Sequence, residues 1–263
     1  MSVRVTHNSG FFSCCSMRLW GIVLFINENG CLPNHVDSSE QFQWYKVGKT
    51  GDLTYDYFRH YDSVNSCLST VPIDYHQDYQ FKEYATLDFD AVIPVVKKYF
   101  SPSADILQRI GSIETRYAIE CANTCVLFYR GNNKSIETLL SGYDEYIAYA
   151  KELAGREPGI RFLVQSDETE FIETMLANVP NSFYLKDDVR HMPKCHTSVD
   201  LVMRSGNYAF SKNYLAVTYL MSKCKYVVCG SGNCSIWIVL FRGNANNVYQ
   251  NLNGQWFKHD AIS

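Results

Sequence analysis

Apolar and polar positions change rhythm along the chain, and the change marks out elements. Residues 124–129 (TCVLFY), 160–165 (IRFLVQ), 182–185 (SFYL) and 225–229 (KYVVC) are short, mainly apolar runs, which predict buried strands. Between them apolar residues recur in steps of three and four. Ile136, Leu139, Leu140, Tyr143, Ile147, Ala150 and Leu153 predict one helix, ended by Glu157-Pro158-Gly159. Phe171, Ile172, Met175 and Leu176 predict a second, opened by a capping box of Asp167 and Glu170. Phe210, Tyr214, Val217 and Met221 predict a third, and residues 234–242 a closing helix. Apolar strands separated by helices predict a parallel sheet covered on both faces.

The first half shows the same grammar more weakly. VRVT predicts a strand, HNSG a turn, residues 13–27 a helix, and a second strand ends near Asp37. Residues 38–86 are aromatic and polar without a period, and no element is assigned to them. Residues 89–99 and 104–119 predict helices. The expected architecture is α/β, with two facing Rossmann-like domains spanning 1–115 and 116–263.

Composition narrows the function classes. The 263 residues are 46% hydrophobic, enough for a large core, and the formal charge of -3 comes without a basic block. A nucleic-acid partner is therefore not expected. The ten cysteines include Cys125, Cys224, Cys229 and Cys234 in or beside apolar segments, and no C-x-x-C pair occurs. Free thiols in a reducing compartment are expected. The apolar stretch 19–26 is too short to span a membrane and Arg18 interrupts it. With no signal-peptide pattern in MSVRVTHNSG, a soluble, cytoplasmic protein is expected. No pattern sets an oligomeric state.

Three polar turns fall at the carboxyl ends of predicted parallel strands: Arg130-Gly131-Asn132, Ser166-Asp167-Glu168 and Gly230-Ser231-Gly232-Asn233. Ligands of α/β sheets bind at such ends. The last turn precedes a helix, whose free N–H groups suit phosphate, and Ser231, Asn233 and Ser235 add donors. Arg130 supplies a bidentate cation. The same residues also fit a plain tight turn, an N-cap and a surface charge. No G-x-G-x-x-G fingerprint follows Gly230, which weighs against a dinucleotide-binding module.

These residues resemble the motifs of the fucosyltransferase superfamily (α-1,2-, α-1,6- and protein O-fucosyltransferases). LFYRGNNK (127–134) resembles its H-x-R-R-G-D-x motif, FLVQSDETEF (162–171) its F-S-D-D/E segment, and LMSKCKYVVCGSGNCSIWI (220–238) its closing L-M-S-x-C motif. THNSGFFSCCSMRL (6–19) resembles its glycine-rich first turn, which adds Asn8 and Gly10 to the donor-side candidates. The whole chain is also similar to short glycosyltransferase-like proteins of large DNA viruses of algae; in a viral setting the compartment is the host cytoplasm. The resemblance implies a GT-B fold. It implies Arg130 on the β-phosphate of a nucleotide sugar, Ser231, Gly232, Asn233 and Ser235 along the diphosphate, Asn132 beside Arg130, and Asp167 near the base or ribose. Where the motif has His, Arg and Asp, this chain has Leu127, Tyr129 and Asn132, and the paired serines become Gly232 and Asn233. The phosphate grip is kept while contacts that read guanine and fucose are altered, so a GDP- or UDP-linked sugar, fucose or a pentose such as xylose, fits.

The activity so implied is inverting glycosyl transfer to a hydroxyl of a glycan or glycoprotein. No D-x-D-type pair stands out, and no cofactor is required if Arg130 and helix N–H groups neutralise the leaving diphosphate. His7, ending the first strand, is a candidate base or an ordinary capping histidine; Asp37 is a second candidate or a structural cap in VDSS. The aromatic stretch 41–46 (QFQWYK) suits an acceptor platform or packing. A catalytically degenerate binder of sugar nucleotide or glycan is the alternative.

Overall fold

The computed structural model describes residues 1–46, 48–65, 67, 68 and 70–260. Strand β1 (Ser2–Arg4) feeds helix α1 (Phe11–Asn29), which returns to β2 (His35–Asp37). The two strands pair in parallel, Val3 opposite Val36. Helix α1 begins two residues before the predicted Ser13 and stops at Gly30, whose φ of 66° breaks the helix. By length and composition alone α1 could cross a membrane. Here it is a core helix: Leu19, Ile22, Val23 and Ile26 are fully buried. Arg18 is buried with them, donating from Nε to Ser38 Oγ (3.1 Å) and from Nη1 to the Tyr99 carbonyl (3.3 Å). That burial lowers its pKa.

The unassigned residues 38–86 hold one helical turn, α2 (Thr54–Tyr57), and several 3-10 turns. Part of their aromatic content shows no period because it converges on one ring rather than lining a face. Phe42, Tyr45 and Tyr57 gather around Phe11 at ring-centroid distances of 5.4, 5.7 and 4.8 Å, and all four are buried. Packing is thus the role of Phe42 and Tyr45 in the aromatic stretch. Helices α3 (Phe89–Phe100) and α4 (Ala104–Arg116) follow as predicted, capped by Asp88 and Ser103.

The rest builds a six-stranded sheet. Its elements are β3 (Thr124–Tyr129), α5 (Tyr143–Arg156), β4 (Arg161–Ser166), α6 (Thr169–Asn178), β5 (Ser182–Tyr184), α7 (Val199–Val202), α8 (Asn207–Lys223), β6 (Tyr226–Gly230), α9 (Asn233–Arg242), β7 (Val248–Leu252) and β8 (Gln255–His259). The order is β5-β4-β3-β6-β7-β8, parallel except for β8. Strand β3 is buried throughout. Its Val126 and Phe128 face the core shared with α1, α8 and α9, while Cys125, Leu127 and Tyr129 face the core under α5 and α6.

Three expectations are corrected. The helix predicted from Ile136 begins at Tyr143, and Ile136 and Leu139 are exposed at 75% and 65%, so the apolar period there marks no buried face. No capping box forms from Asp167: the N-cap is Glu168, and the Asp167 carboxylate is engaged by Gly131 N (2.9 Å) and Arg130. Helix α9 does not close the sheet. Strands β7 and β8 follow it, joined at Asn253-Gly254, both left-handed (φ 51° and 84°). The ten cysteines are all free.

Candidate functional site

Chain order turns back at one place in the larger sheet. The path runs β3 to β4 to β5 on one side, then returns to lay β6 on the other side of β3. In such sheets the crevice beyond the carboxyl ends of the two strands flanking the reversal is the ligand position. Arg130 leaves β3 there, and Gly230-Ser231-Gly232 leaves β6 there to start α9.

A cleft of about 270 Å³ opens at this point. The second half supplies Phe128, Arg130, Asn133, Lys134, Asp200, Tyr214 and residues 232–235; the first half supplies residues 9–13, Trp44 and Gln80. Two helix N-termini therefore border it, those of α1 and α9. Both have glycine at the N-cap, so no side chain consumes their first amides. A larger cavity of about 450 Å³, against Phe89, Ile93, Tyr219 and Phe241, shares no residue with the cleft.

The loop after β3 orients Arg130. Its Nη1 donates to the Asn132 carbonyl (2.7 Å) and to the Asp167 carboxylate, and Nη2 donates to Asn133 Oδ1 (3.2 Å). Asn132 is fully buried: its amide joins the Asp167 carbonyl (2.8 Å) to Cys195 N (2.7 Å). It shapes the loop and does not line the cleft. Asp167 borders a smaller chamber that shares Phe128, Arg130, Asp200 and Tyr214 with the cleft. That chamber adds Gln165, whose buried Oε1 has no hydrogen-bond partner, and Arg190, whose guanidinium lies 4.3 Å from the centre of the Phe210 ring.

At the start of α9 the turn residues divide. Ser231 is buried and spent, donating to the Asn251 carbonyl (2.8 Å) and accepting from Gln250 Nε2 (2.8 Å); it does not reach the cleft. Gly232, Asn233 and Ser235 do line it. Gly232 N donates to Tyr84 Oη (3.1 Å), and Asn233 Oδ1 accepts from Ser16 Oγ of α1 (2.8 Å). Ser235 Oγ donates to the Gly230 carbonyl (2.5 Å).

On the first half, Gly10 lines the cleft and Asn8 does not: the Asn8 amide pins its loop to the Glu40 carbonyl (3.0 Å) and Gln43 N (3.0 Å). His7 is half-buried with Nε2 2.9 Å from Ser13 Oγ, and Ser13 lines the cleft. Burial lowers the His7 pKa. Asp37 lies outside the cleft lining. Hydrogen bonds from Ser39, with Arg4 nearby at 3.7 Å, hold its pKa below the usual value. Its Oδ1 accepts from Ser39 N (2.9 Å), capping the turn after β2.

Among the cleft groups that the residue patterns did not disclose are Ser13, Asp200, Lys134 and Glu137. Asp200 accepts from Tyr45 Oη (2.7 Å). Lys134 is buried at 6% exposure, with Nζ 2.5 Å from Glu137 Oε2 and 4.7 Å from the centre of the Phe81 ring. Desolvation lowers its pKa. A lysine in GNNK carries no periodic signal; its one clue was its place four residues after Arg130. Among the described residues no group of three His, Cys, Asp or Glu side chains is placed to hold a metal ion.

No protein-family model and no curated protein matches the sequence. Solved structures do match. A NodZ α-1,6-fucosyltransferase soaked with GDP-fucose superposes with TM-score 0.57 at 10% identity, covering 99% of both chains. The fucosyltransferase NodZ from Bradyrhizobium gives 0.55 at 10% identity, and a NodZ co-crystallised with GDP gives 0.54 at 11%, each covering 98% of both chains. Over nearly its whole length the chain thus has the GT-B α/β fold of the NodZ fucosyltransferases.

Proposed function

We propose that the protein is an inverting, metal-independent glycosyltransferase that moves a sugar from a nucleotide-diphosphate donor to a glycan hydroxyl. One observation carries this: Arg130 and the start of α9, from separate strand–helix crossings, line one cleft at the switch point of the sheet. NodZ structures holding GDP-fucose or GDP share the fold and support the donor class. The donor is GDP- or UDP-linked, carrying fucose or a pentose such as xylose. Residues 116–263 form the donor side and residues 1–115 the acceptor side.

The chemistry follows from charge. An acceptor hydroxyl bonded to Ser13 Oγ passes its proton through that hydroxyl to His7 Nε2. The acceptor oxygen attacks the anomeric carbon from the face opposite the diphosphate. The bond from that carbon to the phosphate oxygen breaks, and its electron pair leaves on the diphosphate. Arg130 and the amides of Asn233, Cys234 and Ser235 meet that charge. The smaller chamber, with Gln165, Phe210 and Tyr214, takes the base or ribose. Trp44 offers an aromatic face to the acceptor sugar.

His7→Ala should lower kcat by about 10²- to 10⁴-fold, the usual share of a general base, and leave donor affinity within about twofold. The wild-type rate should fall on acidification with a midpoint below 6.5, since burial lowers the His7 pKa and only the neutral ring accepts the proton. Unchanged turnover in His7→Ala would remove His7 from the mechanism.

A thermal-shift panel of GDP, UDP, CMP and TDP sugars tests the donor class. At a hundred times its Kd a true donor adds about 2.7 kcal/mol of stability. No shift with any sugar nucleotide would refute the proposal. A degenerate binder is the second reading, favoured by Leu127 and Tyr129, which stand where the resemblance expects His and Arg and point into the opposite core. A shift without turnover or slow donor hydrolysis would select it.

A further inference from the structure

We propose that Lys134 is a second cation on the donor diphosphate and that Glu137 is its counter-ion until the donor binds. The inference rests on the glycosyltransferase reading above and concerns residues that the motif resemblance does not assign.

Lys134 is placed for this role by its surroundings. Its side chain lines the same cleft as Arg130 and Gly232, with the ammonium at the start of α9. A side chain at position 232 would put its Cβ 3.1 Å from Lys134 Cε and 3.2 Å from Nζ, tighter than ordinary contact. Glycine at 232 is what admits the lysine. The φ of 160° there is ordinary extended backbone, so close approach, not conformation, selects the glycine.

The pairing is lopsided. The Lys134 side chain is 8% exposed and that of Glu137 is 47% exposed, at a separation of only three residues. A buried ammonium needs a counter-anion, since desolvation without one costs several kcal/mol. An exposed glutamate on a flexible stem is a weakly held partner, because exposed ion pairs contribute little. A diphosphate entering between Arg130 and α9 brings a stronger anion to the same ammonium. Glu137 then swings to water. Lys134 thereby replaces the cation lost from the motif at Tyr129, whose ring instead stacks on Phe171 (4.7 Å, 10°) in the other core.

Calorimetric titration of GDP and UDP, with GMP and UMP as controls, tests this in the full chain. Lys134→Met should weaken diphosphate binding about 10- to 100-fold, the range of a charge-assisted contact, and monophosphate binding by less. Glu137→Gln should tighten diphosphate binding about two- to fivefold, because the competing carboxylate is gone. A purely structural Lys134–Glu137 pair predicts the reverse sign for Glu137→Gln. Unchanged diphosphate affinity in a folded Lys134→Met, or unchanged or weaker affinity in Glu137→Gln, would overturn the proposal. If Lys134→Met does not fold, the Glu137→Gln result decides alone. Wild type that binds neither nucleotide ends both this inference and the donor reading; wild type that binds while the variants fail these signs ends this inference only.

Discussion

Arg130→Ala is expected to weaken nucleoside-diphosphate binding by about two orders of magnitude while the protein stays folded. The guanidinium is held in place by three acceptors, Asn132 O and Asn133 Oδ1 of its own loop and the Asp167 carboxylate of the turn after β4. That preorganisation means little side-chain entropy is lost when a phosphate arrives. Truncating one partner of a desolvated charge pair costs about 2–5 kcal/mol, which converts to roughly 30- to several-thousand-fold in Kd. Part of that loss is electrostatic in a second way. Without Arg130 the Asp167 carboxylate, 11% exposed, is left to face the incoming anion with Gly131 N as its remaining partner. Arg130→Lys should recover a fraction of the affinity, since a point charge cannot span Asp167 and a phosphate in one plane. Asn132→Asp is a useful contrast: it removes the amide N–H that donates to the Asp167 carbonyl without removing the cation. Titration of GDP and UDP into the three variants reads the result. An Arg130→Ala protein with wild-type affinity would remove the guanidinium from the site and leave α9 unsupported as a phosphate cradle.

What the sequence made legible follows from how each region is buried. Strands β3, β4 and β6 lie between two layers, so their apolar runs are nearly continuous and their edges fall within a residue or two of the prediction. The sheet reversal could be built only from order, yet both of its chemical ends, Arg130 and Gly230–Asn233, were visible as polar stops after apolar runs. Residues 38–86 were opaque for the opposite reason. Phe42, Tyr45 and Tyr57 pack around Phe11 while Tyr75 and Tyr79 stack on each other, so spacing along the chain carries no single face. The hairpin β7–β8 did have a signal, the turn pair Asn253-Gly254 between two short runs, and the reading that ended at α9 passed over it.

Of the candidate residues, Gly10, Arg130, Gly232, Asn233 and Ser235 line one cleft and the others lie outside its lining. Polar residues at a strand end look alike in sequence whether they meet a ligand or the protein. Asn132 and Ser231 have the chemistry of ligand donors, but burial commits both to backbone partners. Asp37 and Asn8 likewise hold loops. Ser13 and Lys134 have the reverse history: one opens a predicted helix, the other lies just past a predicted turn, and only the meeting of α1, α9 and the loop after β3 brings them to one cleft.

Trp237→Ala should be the most destabilising single change considered, by about 3–5 kcal/mol, the range for truncating a fully buried large aromatic residue. Trp237 has no exposed surface and touches three rings: Phe100 at 4.6 Å, Phe241 at 5.2 Å and Phe12 at 6.3 Å between centroids. Phe12 comes from α1, Phe100 from α3 and Phe241 from α9 itself, so the cavity would open where three helices meet. For a chain of this size the loss corresponds to roughly 6–20 °C in Tm. Trp237→Phe separates packing from polarity. It keeps most of the ring but removes the indole N–H, which donates to Ser16 Oγ (3.0 Å); Ser16 in turn donates to Asn233 Oδ1 (2.8 Å) at the start of α9. This two-bond chain is how the core fixes the Asn233 side chain at the cleft. The phenylalanine variant should lose about 1–2 kcal/mol, since a buried acceptor is left unmet, and should also bind GDP or UDP a few-fold more weakly at a temperature where it is fully folded. Urea melts of the two variants with titrations beside them read both effects. A Trp237→Phe protein with reduced stability and unchanged nucleotide affinity would break the link from core to cleft, and Trp237→Ala with a loss below about 1 kcal/mol would contradict the packing at the junction of α1, α3 and α9.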